Sequence, residues 1–307
     1  EINYTILGGI YQMSNIFNEN LSKYAELVVK VGVNIQKNQF LYITTSTDAL
    51  DLARLITKKA YEAGARQVFV DLADDQIGRA RYELAPDDSF DFFPEWKVKE
   101  REWLAEQGAA FVSIVSQSPD LLKGIDSKRI ATFQKAAGTA LNKYRQYVQS
   151  DKISWTVIAS PSEAWAEKVF PNLPKEKQVD ALWDAIFKAT RSDLDNPVEA
   201  WTKHNDTLHE KVHYLNAKKY AKLHYTAPGT DLTIELPKGH LWCGAGSVNE
   251  KGEEFMANMP TEEVFTVPHK DGVNGYVSST KPLSYGGNII DNFKITFENG
   301  RITKVEA

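Results

Sequence analysis

Cysteine is nearly absent: Cys243 is the single thiol in 307 residues. An intramolecular disulfide and a cysteine-based zinc cluster are thereby excluded, and a reducing, cytoplasmic compartment fits best. No run of eighteen apolar residues occurs, so no transmembrane helix is expected. Cationic excess is missing too. Lys and Arg number 36 against 41 Asp and Glu, a formal net charge of −5, and the basic residues are dispersed among acids. Such a surface has no general affinity for nucleic acid or an anionic membrane. Neither a G-x-x-x-x-G-K-[ST] loop nor a G-x-S-x-G elbow is present, which removes the common NTPase and α/β-hydrolase readings. Gly244-Ala-Gly246 is a fragment of a dinucleotide fingerprint, but no helix signal follows it, so NAD binding is not expected.

The chain does have 42% hydrophobic and 25% charged residues, enough for one large or two ordinary globular domains. Helical and strand signals alternate through the first two thirds. Leu21, Tyr24, Leu27, Val28 and Val31 repeat at helical spacing, with Gly32 weakening the end. Phe40–Thr44, Val68–Leu72, Phe111–Val115 and Trp155–Ala159 are β-prone runs. Ala49–Ala63 returns to helical spacing with Gly64 as its C-cap, and Ser162 can cap a helix that Glu163 favours in its first turn. Strand, helix, strand in this order predicts a parallel sheet with crossover helices. Asp193–Tyr220 reads as a long helix opening at Pro197. Beyond it, Leu223–Thr226, Leu232–Leu236, Val264–Val267 and Phe293–Phe297 are strand-like and separated by Gly, Pro and Asn turns. The expected fold is an α/β domain over 13–222, followed by an incomplete β-rich α+β domain over 223–307. Residues 1–12 lack a secretory signal's basic and apolar regions. We expect them to be translated upstream sequence, with Gly8-Gly9 a ribosome-binding site read in frame and Met13 the natural start. At the other end the chain stops inside an expected hairpin, so a truncated fragment is expected.

Two motifs carry possible chemistry. His209-Glu210-Lys211-Val212-His213 matches H-E-x-x-H, in which two histidines one helical turn apart share a zinc ion and the glutamate activates water. At about 100° per residue, Trp201, Leu208, Val212 and Leu215 form the buried stripe, the histidine pair lies at its edge, and Glu210 points away. A zincin built on His209, Glu210 and His213 stays an alternative beside a solvated helix flank, and Glu235, a conceivable third ligand, sits within an alternating strand without further support. His224 and His240 read as structural or exposed, and Trp155, Trp165, Trp183 and Trp201 as core. The second motif is Asn258-Met-Pro-Thr-Glu-Glu-Val-Phe-Thr-Val-Pro268, where two adjacent carboxylates stand between a proline-led turn and an extended apolar run. A carboxylate at the mouth of a strand can act as a hard oxygen ligand or a proton acceptor.

That segment, together with Asp271-Gly-Val-Asn-Gly-Tyr276, Pro282-Leu-Ser-Tyr-Gly-Gly-Asn-Ile-Ile290 and Leu223-His-Tyr-Thr-Ala-Pro-Gly-Thr-Asp-Leu232, resembles the M29 family of metal-dependent aminopeptidases. Leu21-Ser-Lys-Tyr-Ala-Glu-Leu27, Lys30-Val-Gly-Val-Asn34 and Ala60-Tyr-Glu-Ala-Gly-Ala65 extend the likeness, which runs from about Asn18 to the last residue. The resemblance implies a cytoplasmic, homodimeric exopeptidase that removes amino-terminal residues from peptides. It implies two divalent metal ions, zinc or cobalt, which activate a bridging water. The carboxylate directly before Val-Phe-Thr binds metal in the family, and here that is Glu263. Glu262 stands where relatives often have glycine and receives no metal role. The other ligands (two further Glu, two His and an Asp) and a catalytic Tyr fall beyond Ala307. One carboxylate cannot hold a dinuclear centre, so these 307 residues alone are expected to be inactive. A non-catalytic dimerisation or peptide-binding module is the remaining alternative.

Overall fold

The computed structural model describes residues 4–286 and 288–307, with side chains from residue 15 onward. The chain forms two compact units. The first runs through Ser118, then over 124–203 and 246–261; the second comprises 119–123, 204–245 and 262–307.

Four parallel strands form the sheet of the first unit: β1 (Phe40–Ser46), β2 (Gln67–Ala73), β3 (Ala110–Val115) and β4 (Trp155–Ala159), in the order β2-β1-β3-β4. The crossover segments carry α2 (Leu50–Glu62), then α3 (Asp75–Leu84) and α4 (Glu95–Glu106), then α5 (Ser127–Ala140) and α6 (Asn142–Gln149). α1 (Tyr4–Leu27) precedes β1, and α7 (Glu163–Val169) and α8 (Lys175–Ala189) follow β4. The strands are apolar on both sides because helices cover both faces. With a side-chain period of two, Leu41, Ile43, Val112, Ile114 and Ile158 enter one core with α1, α2 and α8. Tyr42 and Phe111 enter the other, with Leu104, Ala105 and Ile153.

The caps expected from the sequence are present. The Ser162 hydroxyl accepts from Trp165 N–H at 3.2 Å, and Gly64 closes α2 at φ +98°. The helix expected from Met13 extends over Tyr4–Leu27 and passes into a π-helical turn, Val28–Gly32. Of the proposed 1–12 extension, residues 1–3 and all the side chains lie outside the described residues.

One segment joins the first unit from far along the chain. Residues 246–261 reach it through backbone bonds from Met256 N–H to Gly32 and from Met259 N–H to Val157, and Met256 and Met259 lie in its main core. Asn249 donates to Ser154 Oγ at 3.0 Å, and Asn34 to the carbonyl of Glu254 at 2.8 Å. Two short strands of this segment, β8 (Ser247–Val248) and β9 (Glu254–Phe255), pair with each other. A single cut near residue 222 does not describe this grouping. The units divide inside α9 (Pro197–Lys218), between Lys203 and His204.

The second unit is built on a five-stranded antiparallel sheet. Its strands are β5 (Lys222–Ala227), β6 (Thr230–Glu235), β11 (Val273–Ser278), β14 (Lys294–Glu298) and β15 (Arg301–Glu306), in the order β15-β14-β11-β6-β5, while β12 (Leu283–Tyr285) and β13 (Asn288–Ile290) form a separate antiparallel pair. The β14–β15 turn is Asn299-Gly300, with φ +48° and +76°, the pair a two-residue hairpin of this hand demands.

Tyr24 ties α1 to the last parallel strand. Its fully buried hydroxyl donates to the carbonyl of Ala159 at 3.0 Å and accepts that residue's N–H at 3.1 Å. Burial raises the phenol well above its ordinary range, only partly offset by the Ala159 bond. Tyr24→Phe strands two buried backbone groups and should cost about 1–3 kcal/mol in urea unfolding at pH 7. A phenol raised in the folded state contributes stability that is present below its unfolded pKa of about 10 and lost above it. The wild-type advantage should therefore shrink when the same unfolding is run at about pH 10.5.

Candidate functional site

Glu263 lies just before β10 (Val264–Phe265), which pairs antiparallel with β7 (Cys243–Gly244) in a two-stranded ribbon. Val264 is opposite Gly244, and Phe265 is opposite Cys243. The register depends on a glycine. Gly244 has φ +153°, and a Cβ there would stand 2.7 Å from the Glu263 carbonyl and 2.9 Å from Val264 Cα. No side chain can occupy that space unless the Glu263 backbone shifts. Gly244 of the dinucleotide-like Gly-Ala-Gly thus serves the packing of the ribbon.

α9 holds the ribbon in place. The Asn216 side chain accepts Trp242 N–H at 2.8 Å and donates to the Trp242 carbonyl at 2.9 Å, pinning the residue before β7 on both its polar groups. Thr266 Oγ1 donates to the Leu241 carbonyl at 2.7 Å across the ribbon. One further contact ties the helix to the acidic pair: His204 Nε2 lies 3.3 Å from Glu262 Oε2, and the His204 side chain is only 12% exposed.

The two adjacent glutamates therefore have different surroundings. Glu262 leans on His204, whereas the Glu263 carboxylate is exposed and has no ion pair among the described residues. His204 and Asn216 are not singled out in the sequence reading. His204 could have been found from spacing, since it continues the buried stripe one turn beyond Trp201. Asn216 could not, because its partner Trp242 lies in an irregular segment.

The H-E-x-x-H residues lie on α9 as the helical geometry requires. Trp201, Leu208 and Val212 are buried, His209 is half-buried, and Glu210 and His213 are exposed. The two imidazoles are near-parallel at 26°, with centroids 6.4 Å apart. His224 Nε2 sits 2.8 Å from Asp231 Oδ1 on the β5–β6 hairpin, and His240 Nδ1 is 3.0 Å from the Pro237 carbonyl. Glu235 packs its stem where a Cβ on Gly272 would stand. Among the described residues, no group of three or more His, Cys, Asp and Glu side chains could hold a metal ion. Neither Glu263 nor the histidine pair has a completed ligand set among the described residues.

A separate acidic concentration lies at the carboxyl ends of the parallel strands, where ligands often bind open α/β sheets. Asp48 is raised above the ordinary carboxylate range by burial and by the charges of Asp75, Asp74 and Glu163. The buried hydroxyls of Ser46 and Ser116 hydrogen-bond to each other there. These acids are not gathered into a metal-holding group.

The profile of the family described as Thermophilic metalloprotease (M29) matches residues 17–307. The chain belongs to the M29 metalloprotease family. Aminopeptidase AmpS of Bacillus subtilis (strain 168) is 62% identical over 291 residues, which cover 95% of this chain and 71% of that protein. Aminopeptidase 2 of Geobacillus stearothermophilus is 48% identical, over 95% and 71% of the two chains. The structure of wild-type AmpT from Thermus thermophilus superposes with a TM-score of 0.88 at 38% identity, covering 94% of this chain and 71% of that one. Membership implies a divalent metal cofactor. The α/β architecture with its parallel four-stranded sheet agrees with the sequence expectation.

Gly244→Ala tests the close approach. We expect a loss of about 1–3 kcal/mol from forcing a side chain into that conformation, read as a lower thermal midpoint. Gly239→Ala, also at positive φ (+86°) but with no atom within 4 Å of its Cβ, provides the strain-only control and should cost less.

Proposed function

We propose that this chain carries the amino-terminal domain and the first catalytic segment of a metal-dependent aminopeptidase, which hydrolyses amino-terminal residues from peptides with two divalent ions, zinc or cobalt. The observation that carries this reading is the division between the two glutamates: Glu262 is engaged by His204 and Glu263 is left available on a backbone fixed by Gly244. An available carboxylate on a rigid strand mouth suits a hard-cation ligand. The names of the relatives point the same way. A homodimeric state and a cytoplasmic location belong to the same proposal. No helix among the described residues is long and apolar enough to cross a membrane.

Glu263 alone does not complete a metal centre. These 307 residues by themselves should be inactive toward amino-acid p-nitroanilides with either zinc or cobalt. The relatives are matched over 71% of their length, and a version extended by roughly a hundred residues, a domain-scale addition, should be active. In that longer version Glu263→Gln should lower kcat/KM by more than about a hundredfold, beyond the usual cost of losing a ligand's supporting partner. Glu262→Gln should cost far less. His209→Ala should leave activity near the wild-type value. Activity of the 307-residue chain that disappears with His209→Ala would instead establish the H-E-x-x-H reading.

A further inference from the structure

Within the first unit a cavity of about 240 Å³ lies between the parallel sheet and α6. Its floor is Phe111 and Ser113 of β3 beside Trp155 and Val157 of β4, register partners that project to one face. Its roof is two rows of α6, each pair one turn apart: Tyr144 with Val148, half-buried, and Arg145 with Gln149, exposed. The Phe111 and Tyr144 rings stand 5.1 Å apart, tilted by 52°. The space exists because Ser113 replaces a large side chain between Phe111 and Val115, and its hydroxyl has no hydrogen bond among the described residues. Charge in the lining is of one sign. Arg145 has no ion pair among the described residues, and its Nη1 has room beside α5 because a Cβ on Gly138 would stand only 3.3 Å away. No carboxylate lines the cavity among the described residues, and Asp151, close by in sequence, accepts the Trp155 indole N–H at 3.4 Å.

We propose that this cavity binds a small planar aromatic anion, its ring against Phe111, Tyr144 and Trp155 and its anionic group at Arg145. Aromatic walls favour a ring, which they meet offset or edge-on. A guanidinium offers a planar fork of donors that matches a carboxylate. The volume falls just short of the roughly 300 Å³ at which drug-sized pockets begin, which suits one or two rings and not a peptide. The missing acid selects as strongly as the cation does. A free amino acid or a peptide would bring its ammonium into a lining that holds a cation and nothing to pair with it. The site is therefore chemically unlike one for the substrates or products of an aminopeptidase, and it stands apart from that reading.

Trp155 provides the readout, because it is part of the floor. Tryptophan emission of the 307-residue protein is titrated with phenylacetate, and it should change saturably with a dissociation constant of about 1 mM or below, the affinity open to a ligand of this size. 2-Phenylethanol keeps the ring and loses the charge, and phenylalanine adds an ammonium. Each should bind at least about fivefold more weakly, the worth of one exposed charge pair. Arg145→Gln should bring phenylacetate down to the level of the alcohol and leave the alcohol unchanged. Ser113→Leu, which fills the floor, should abolish binding while the far-ultraviolet circular dichroism stays unchanged, and Trp155→Phe should remove the emission change. No saturable change with phenylacetate, or equal binding of the three ligands, would overturn the assignment. An emission change that survives Ser113→Leu and Trp155→Phe would place the ligand elsewhere and overturn it equally. Should Ser113→Leu fail to fold, Arg145→Gln decides, since that position is exposed: phenylacetate binding that it leaves unaltered would refute the site.

Discussion

The missing side chain at residue 244 is the constraint on which the candidate site depends. With no Cβ, the backbone there turns to φ +153° and lets the Glu263 carbonyl come closer than a side chain would allow. That approach sets the β7–β10 register, and the register decides which side chains share a face. A slip of one residue would turn Glu263 inward and Val264 outward. Asn216 secures the same register from α9 by satisfying both polar groups of Trp242. A two-residue strand pair has little stability of its own. Its position is therefore borrowed from the helix and from the glycine.

Electrostatics separates the two units' polar clusters by purpose. In the first unit, Asp71 is pushed up by burial, but the Lys97 hydrogen bond and the charges of Lys97 and Arg101 outweigh this and hold it below the usual carboxylate range. Arg101 also lies over the Tyr42 and Tyr144 rings. Asp71 pairs with both Lys97 and Arg101 and so braces α4 against the sheet, although Arg101 Nε is buried without a hydrogen-bond partner. Glu263 is the opposite case, an exposed carboxylate without an ion pair among the described residues. A charge that contributes nothing to its own fold is free to take a ligand. This is why the pair reads as one engaged acid and one available acid rather than as a catalytic acid and base.

Much of the fold was legible because its signals are local. Each parallel strand is a short β-prone run, and the caps at Gly64 and Ser162 depend on neighbours three or four residues away. Pro197 marked the first residue of α9, although the four residues before it are not helical. The buried stripe of α9 was visible from spacing alone, and so was the unfavourable placement of Glu210. The domain division was less legible. Residues 246–261 belong to the first unit through Val157, Ser154 and Gly32, partners roughly a hundred or more residues earlier in the chain. Periodicity within a segment carries no information about such partners.

By itself the sequence determined the element types, the α/β order and the family, because propensity, capping and motif identity are properties of neighbouring residues. It also named Glu263, but only through resemblance. Only the tertiary structure decided how the two glutamates differ. His204 comes from a helix 58 positions before Glu262, and Gly244 from a strand 19 positions before Glu263. The environment of a charge is set by what folding brings beside it, and no run of adjacent residues encodes that.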